Sequence, residues 1–458
     1  MPRGRKRPQP PGPFMTPSRL NPIAVVGAFL LLATLVALFG RQPASVAVDQ
    51  NLFHLPAVRQ FAGQWPHVDL SNYSSATSPG YHLVLAAAAR FVSNDVALLR
   101  LVGATFGVAL VFLLASAAAD RNNARAAWLA LPLATSYYVI NSAAWALPDN
   151  AAWLLLTIAL LLAIRTNGWP LYAGSAAVLA LLVFTRQSHA WALLPFAVGA
   201  GLSGRIRSAT GPSVDPIEAL RPVSNAPSSY LRTALLAGVA MLPALAVLAW
   251  LVSLWHGLTP PAFRPGSGVD LPLATKMGGV APAAPAMVLA LIGLFGTPLL
   301  AWVWPTARSR RVVRLMLLGA AAGFVVGILP ETTYNDLSRR SGLWNLVLKL
   351  PTVGGRSPLI VGLATLGGAV VAAALARLPV RERSVLAAAL AGFTLVQAAN
   401  GLVWQRYYEP FVLIWLILAA AACGGAMGPT RRKLAVAGLA AVTALQTAAL
   451  IYALRSGG

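Results

Sequence analysis

Twelve acidic residues face thirty-five basic ones in this chain, so each carboxylate that could move a proton is worth locating. Asp49 follows a long apolar run and heads a stretch, Asn51 to Trp65, that mixes aromatic and polar side chains. A carboxylate there can take the proton of a hydroxyl group brought within hydrogen-bond reach. Asp is also a favoured N-cap, and taken alone that role is the simpler one for Asp49. Arg406, in Gln405-Arg406-Tyr407-Tyr408-Glu409-Pro410, can grip a phosphate through two parallel hydrogen bonds and steady charge developing on it. An Arg at the end of an apolar run equally serves as a snorkelling anchor, and Tyr407 suits either phosphate contact or an aromatic belt. Arg186-Gln187-Ser188-His189 sets four polar side chains between two apolar runs with almost no loop, where such groups usually face a cavity or a partner.

A second tier of candidates surrounds these. Asp149, in Ala146-Leu147-Pro148-Asp149-Asn150, can hold a hydroxyl-rich ligand, orient an Arg, or simply cap the next helix. The segment from Glu331 to Arg340 combines Glu331, Asp336 and Arg339, a mixture suited to hydroxyls and phosphate, although a solvated loop has the same composition. Trp344 can stack on a ring. His54 and His67, with Asp49 and Asp69, invite a metal reading, but the histidine spacing matches no standard ligand set, and a hard ion wants more oxygen ligands. Neither a metal nor another cofactor is expected, and no nucleotide-binding loop is evident. The single cysteine, Cys423, precludes a disulfide within the chain.

These residues must be positioned by elements whose solvent is mostly lipid. The chain is 57% hydrophobic and 10% charged, where a soluble domain carries about 25% charged residues. Apolar stretches of spanning length follow one another, separated by basic or Pro/Gly-rich breaks. They predict an all-α polytopic bundle of about thirteen spanning helices: 21–40, 97–119, 126–145, 150–165, 171–185, 190–203, 234–255, 286–304, 315–330, 357–376, 385–403, 411–428 and 434–454. Residues 1–20 form a basic tail and 21–458 one transmembrane domain, with 203–233 a Pro/Ser/Arg-rich linker on the tail's side. The first run is longer than a signal-peptide core and lacks a clean cleavage site, so it is read as a retained helix.

The positive-inside rule tests this map. With the tail cytoplasmic, roughly 22 of the 35 basic residues fall on the inner side. Asp49, Asp69, Asp95, Asp149, Asp270, Glu331, Asp336 and Glu409 fall outside, against Asp120, Asp215, Glu218 and Glu382 inside, although carboxylates were not used to draw the map. Chemistry on the outer face is one cause that fits. The net charge of +23 is dispersed in clusters between apolar runs, which argues against nucleic acid. The first outer loop, 41–96, carries Leu52, Phe53, Leu55 and Val58 at helical spacing, predicting an amphipathic helix in the interface plane, and a second short helix through Tyr81 to Phe91.

A first helix, an Asp just beyond it, an amphipathic helix, a Pro-Gly turn and a second helix is an order that resembles the GT-C glycosyltransferases. Within them, Asp49-Gln50-Asn51-Leu52-Phe53-His54-Leu55-Pro56, Gln64-Trp65, Asp69 and Ser78-Pro79-Gly80-Tyr81-His82-Leu83 are similar to the first luminal loop of the eukaryotic α-1,2-glucosyltransferases that complete the lipid-linked oligosaccharide. Thr185 to Trp191 resembles that family's Arg-Gln-Thr motif, and Arg406-Tyr407-Tyr408-Glu409-Pro410 resembles the Arg-Tyr-x-x-Pro element that opens a late helix in many GT-C enzymes. The family has Asp-Glu where this chain has Asp49-Gln50. The resemblance implies a GT-C-like fold and sugar transfer, with inversion, from a polyprenyl-phosphate donor to a glycan, lipid or protein acceptor. It implies Asp49 as base; Arg406, Arg186 and Tyr407 at the donor phosphate; and Asp69, Asp149, His54, Gln187, Glu331, Asp336, Arg339 and Trp344 toward acceptor or sugar. A secondary transporter or lipid-carrier flippase is the rival reading, and an inactive assembly factor a third. Richness in Ala and Arg points to a prokaryotic plasma membrane, with the active site extracytoplasmic.

Overall fold

The computed structural model describes residues 17–40, 43–121, 124–165, 168–203, 227–263, 279–303, 310–332, 342–401, 403–424 and 427–456. The basic tail up to residue 16, most of the 203–233 linker, Asp336 and Arg339 lie outside them. The described residues are helical and contain no strand. Seven helices are long and apolar enough to cross a bilayer, or eight if one sharply bent pair makes a single span, giving a membrane-embedded helical protein.

That number is smaller than the apolar runs alone suggest, because several runs break. The run 126–145 divides into a 3₁₀ turn, Ala124–Ala130, then α6 (Leu131–Ala134) and α7 (Tyr137–Ala144). Pro132 and Pro148 cannot donate backbone hydrogen bonds, and α7 meets α8 (Asp149–Arg165) at a 117° bend. The run 190–203 becomes a 3₁₀ turn, Gln187–Ala192, followed by the 11-residue α10 (Leu193–Ser203). Pro298 separates α12 (Ala284–Gly296) from α13 (Leu300–Val303). α17 (Val380–Ala398) reaches 19 residues but opens with Arg381, Glu382 and Arg383.

The segment between the first and second long helices folds into short helices, as its periodicity predicts. Beyond α1 (Pro17–Phe39), helical backbone runs from α2 (Ala44–Val48) through a π-helical turn, Asp49–His54, into α3 (Leu55–Gln64). Leu55, Val58 and Phe61 are buried, whereas Leu52 is exposed. The widened turn shifts the apolar face between these residues. α4 (Gly80–Phe91) packs against α3 and leads into α5 (Val96–Arg121).

At the centre stands α18 (Gln405–Cys423), apolar on every side and buried along nearly its whole length. Its two ends sit in different chemical settings. Around its C-terminus, arginines donate to backbone carbonyls that helix ends leave without intrahelical partners, Arg377 to Trp302 and Cys423, Arg381 to Ala163 and Arg431 to Ala301, while Arg165 donates to Ala117 in the closing turns of the helix that ends at Arg121. Cations there also complement the helix dipoles. Four of the chain's arginines thus serve backbone carbonyls at one end of the bundle. The other end holds Asp49, Asp149 and the start of α18.

Backbone contact holds the second half together. α16 (Pro358–Arg377) lies between α12 and α14 (Arg310–Ile328). Adjacent Gly367 and Gly368 leave no room for a Cβ: Gly367 lies against the Leu289 carbonyl and Gly368 against that of Gly319. Small residues that let helices approach this closely are a main source of packing in lipid. Gly368→Ala should therefore lower stability in detergent by about 1–3 kcal/mol. Gly27→Ala, which meets open space on α1, should leave thermal unfolding unchanged or slightly raised. Equal stability of the two variants would remove close backbone contact as the cause.

Candidate functional site

Asp49 opens the π-helical turn and Arg406 stands in the first turn of α18, 357 residues apart in sequence, and the two form an ion pair. Their side chains are only 16% and 17% exposed. Asp49 caps nothing, because the helix already runs through Val48 before it. Arg406 turns inward rather than out to water. It also donates to the Tyr407 hydroxyl at 2.7 Å, and its Nε is buried without a hydrogen-bond partner.

A second ion pair lies alongside. Arg186, in extended backbone between α9 (Trp169–Thr185) and the 3₁₀ turn, pairs with Asp149, the first residue of α8. Asp149 thus orients an arginine. The Tyr407 ring joins the pairs, with the Arg186 guanidinium 4.9 Å and that of Arg406 4.8 Å from its centroid. Trp404 stacks on Tyr407 and takes Arg406 at 4.4 Å on its own face. Cations so placed on aromatic faces gain most where water is excluded. Four charges from four distant segments therefore form one neutral, nearly dry cluster.

His54 belongs to its margin. Its Nδ1 lies 3.0 Å from His82 Nε2 on α4 and 3.5 Å from the Ser75 hydroxyl. Burial pulls its pKa from 6.5 to about 3, with Asp149 opposing the shift and the Arg406 and Arg186 charges adding to it. His82 is held well below its ordinary value, first by burial and then by His54. Both rings are neutral at physiological pH.

Other expected residues take structural places. Gln187 ties the 43–95 segment to the bundle: its Oε1 accepts from the Ser78 amide and hydroxyl at 2.9 and 2.7 Å, and its Nε2 donates to the Ala76 and Leu258 carbonyls. Asp69 is exposed and accepts from the Ser71 amide at 2.8 Å; hydrogen bonding from the Ser71 side chain first, and its amide second, holds the carboxyl below the usual range. Glu331 is exposed beside Gly355. Trp344, in α15 (Leu343–Val347), is 2% exposed and packs in the core, offering no free face for stacking.

Several contributors stand inside the sequence motifs but are given no role there. Gln50, standing where the resembled family has Glu, accepts from Arg100 Nε at 2.9 Å, and the Arg100 guanidinium lies over Trp145. Glu409 is buried one turn below Arg406 and accepts from Ser136, Gln405 and Gln446 at 2.6, 2.6 and 3.0 Å. Gln405 in turn accepts from the Leu343 amide at 2.6 Å. This network fixes the first turn of α18, and so the root of Arg406. A buried acid with several neutral donors becomes visible only when the helices are assembled. Among the described residues no group of three or more His, Cys, Asp or Glu could hold a metal ion.

Compared with known protein families, curated proteins and solved structures, the chain matches none.

The histidine pair has a measurable signature. Between pH 6.5 and about 3 an unfolded His54 binds a proton that the native one does not. Stability should therefore fall as pH drops through that window. His54→Asn should flatten part of the slope when thermal unfolding in detergent is followed from pH 7 to pH 4. A slope untouched by the substitution would place the acid sensitivity elsewhere.

Proposed function

We propose that the chain is a membrane glycosyltransferase of GT-C type that moves a sugar from a polyprenyl-phosphate donor to a hydroxyl of a glycan, lipid or protein acceptor, with inversion. The observation that carries the reading is the meeting of Asp49 with Arg406 beside Arg186, from segments named independently by their residue types. The proposal extends to a prokaryotic plasma membrane, with the arginine-capped end cytoplasmic and the Asp49 cluster outside. About thirteen spanning or partly spanning segments, the broken ones included, belong to the same reading.

In the reaction, Arg406 exchanges Asp49 for the donor phosphate, and its unpaired Nε supplies a second parallel hydrogen bond to the phosphate oxygens. Asp49 is thereby released toward the acceptor. The acceptor oxygen gives its proton to the Asp49 carboxylate and attacks the anomeric carbon. The bond from that carbon to the phosphate oxygen breaks, its electron pair stays on the polyprenyl phosphate, and Arg406 and Arg186 stabilise the leaving anion. Attack opposite the leaving group inverts the centre. Asp149 keeps Arg186 aimed at the site, and the Tyr407 ring contacts both guanidiniums.

One observation favours a second reading. The 117° break between α7 and α8 carries Asp149, and transporters often build substrate sites at broken helices bearing ionisable groups. A transporter or lipid-carrier flippase would move substrate across sealed vesicles without forming a glycoside.

Purified protein given a panel of polyprenyl-phosphate sugars and acceptor lipids should consume one donor. Asp49→Asn should cut turnover by about 10²- to 10⁴-fold while donor-lipid binding persists, since base catalysis is what it removes. Arg406→Lys should weaken donor binding, because an ammonium cannot make the two-pronged contact. Full turnover in Asp49→Asn would end the base assignment, and vectorial transport with no new glycoside would replace the enzyme reading altogether.

A further inference from the structure

A large cavity among the described residues lies away from the Asp49 cluster. It has a volume of about 1580 Å³, beyond the roughly 300–1,000 Å³ of an ordinary small-molecule cleft. One face of α19 (Pro429–Ser456) forms its long wall, contributing residues at helical spacing from Arg432 through Leu439 and Thr443 to Ile451. That distance corresponds to roughly 29 Å of helix rise, close to the thickness of the hydrocarbon layer. Thr443 and Thr447 donate their hydroxyls to the Leu439 and Thr443 carbonyls one turn back, so the wall is apolar in practice.

The mouth is different. Arg121, Arg125 and Arg432 line it together with Trp128 and Trp302. Arg121 pairs with Glu382 at 2.5 Å at the arginine-capped end of the bundle, and the Arg125 and Arg432 side chains are exposed there. Among the described lining residues there is no carboxylate. A cationic, Trp-flanked mouth above an apolar trough of bilayer length has the chemistry of a lipid with an anionic headgroup.

We propose that this cavity binds an anionic glycerophospholipid, its phosphate at Arg125 and Arg432 and its acyl chains along α19. Charge selects this occupant over the others. The chain's own residues 1–16 carry Arg3, Arg5, Lys6 and Arg7 and would add like charge at the mouth. A second copy facing it across a twofold axis would set the same arginines against each other. The site is independent of the Asp49 chemistry, so it stands or falls separately from the glycosyl-transfer reading.

The test uses the full chain purified in mild detergent, exchanged with equal amounts of phosphatidylglycerol, phosphatidylcholine and a polyprenyl phosphate, and read by native mass spectrometry. The expected result is preferential retention of phosphatidylglycerol. Replacing both Arg125 and Arg432 with Ala should reduce that retention about thirtyfold, given the usual contribution of each basic residue at a lipid surface. Ala440→Trp, which fills the trough and leaves the arginines in place, should displace the lipid as well. If the double variant does not elute as a folded species, Arg432→Gln alone should still lower retention about fivefold. Equal retention of zwitterionic and anionic lipid, unchanged retention in the arginine variants, or selective retention of the polyprenyl phosphate each overturns the proposal.

Discussion

A charge taken out of water costs several kcal/mol unless something of opposite sign meets it, and Asp49 and Arg406 meet that condition for each other. Removing either partner alone would leave the other buried and uncompensated. The pair therefore joins the turn after α1 to the start of the central helix α18. Arg186 and Asp149 do the same for the ends of α9 and α8, and Tyr407 places the two pairs side by side. Pairs of this kind are weak contributors to net stability but fix which helix ends lie together.

Around that constraint, the supporting contacts are local and specific. Glu409 gathers donors from the residue preceding α7, from α18 and from α19 beneath Arg406, so the guanidinium projects from a turn that cannot rotate freely. Gln187 saturates its amide against the 76–78 segment and Leu258, which pins the segment carrying Asp49 and His54 to the helix end carrying Arg186. Side chains locked by such second contacts hold a site to the tolerance that chemistry at a single atom requires.

The far end of the bundle uses arginine for another purpose. There the guanidiniums donate to carbonyls of α5, α8, α13 and α18, meeting backbone groups that lipid cannot hydrogen-bond. The same residue type thus closes helices at one end and pairs with carboxylates at the other. Only the partner distinguishes the two uses. Where the capping arginines give way to the open trough beside α19, positive charge remains at a mouth whose wall is apolar.

By itself, the sequence determined what depends on composition and short-range periodicity. Apolar runs of bilayer length made the chain a membrane-embedded helical bundle, and the spacing of Leu55 and Val58 announced the short helix after Asp49. Residue type and position singled out Asp49, Arg406, Arg186 and Asp149, because an ionisable group at the end of an apolar run needs a partner. Which partner it finds was not legible, since pairing depends on which helix ends the packing brings together across hundreds of residues. The same is true of Gln187 as a tether, Trp344 as core, Glu409 as the support of α18, and the division of long runs at Pro132, Pro148 and Pro298. Hydropathy sums over a window, whereas a break, a buried hydrogen bond or an ion pair is decided by the neighbours that only the assembled bundle supplies.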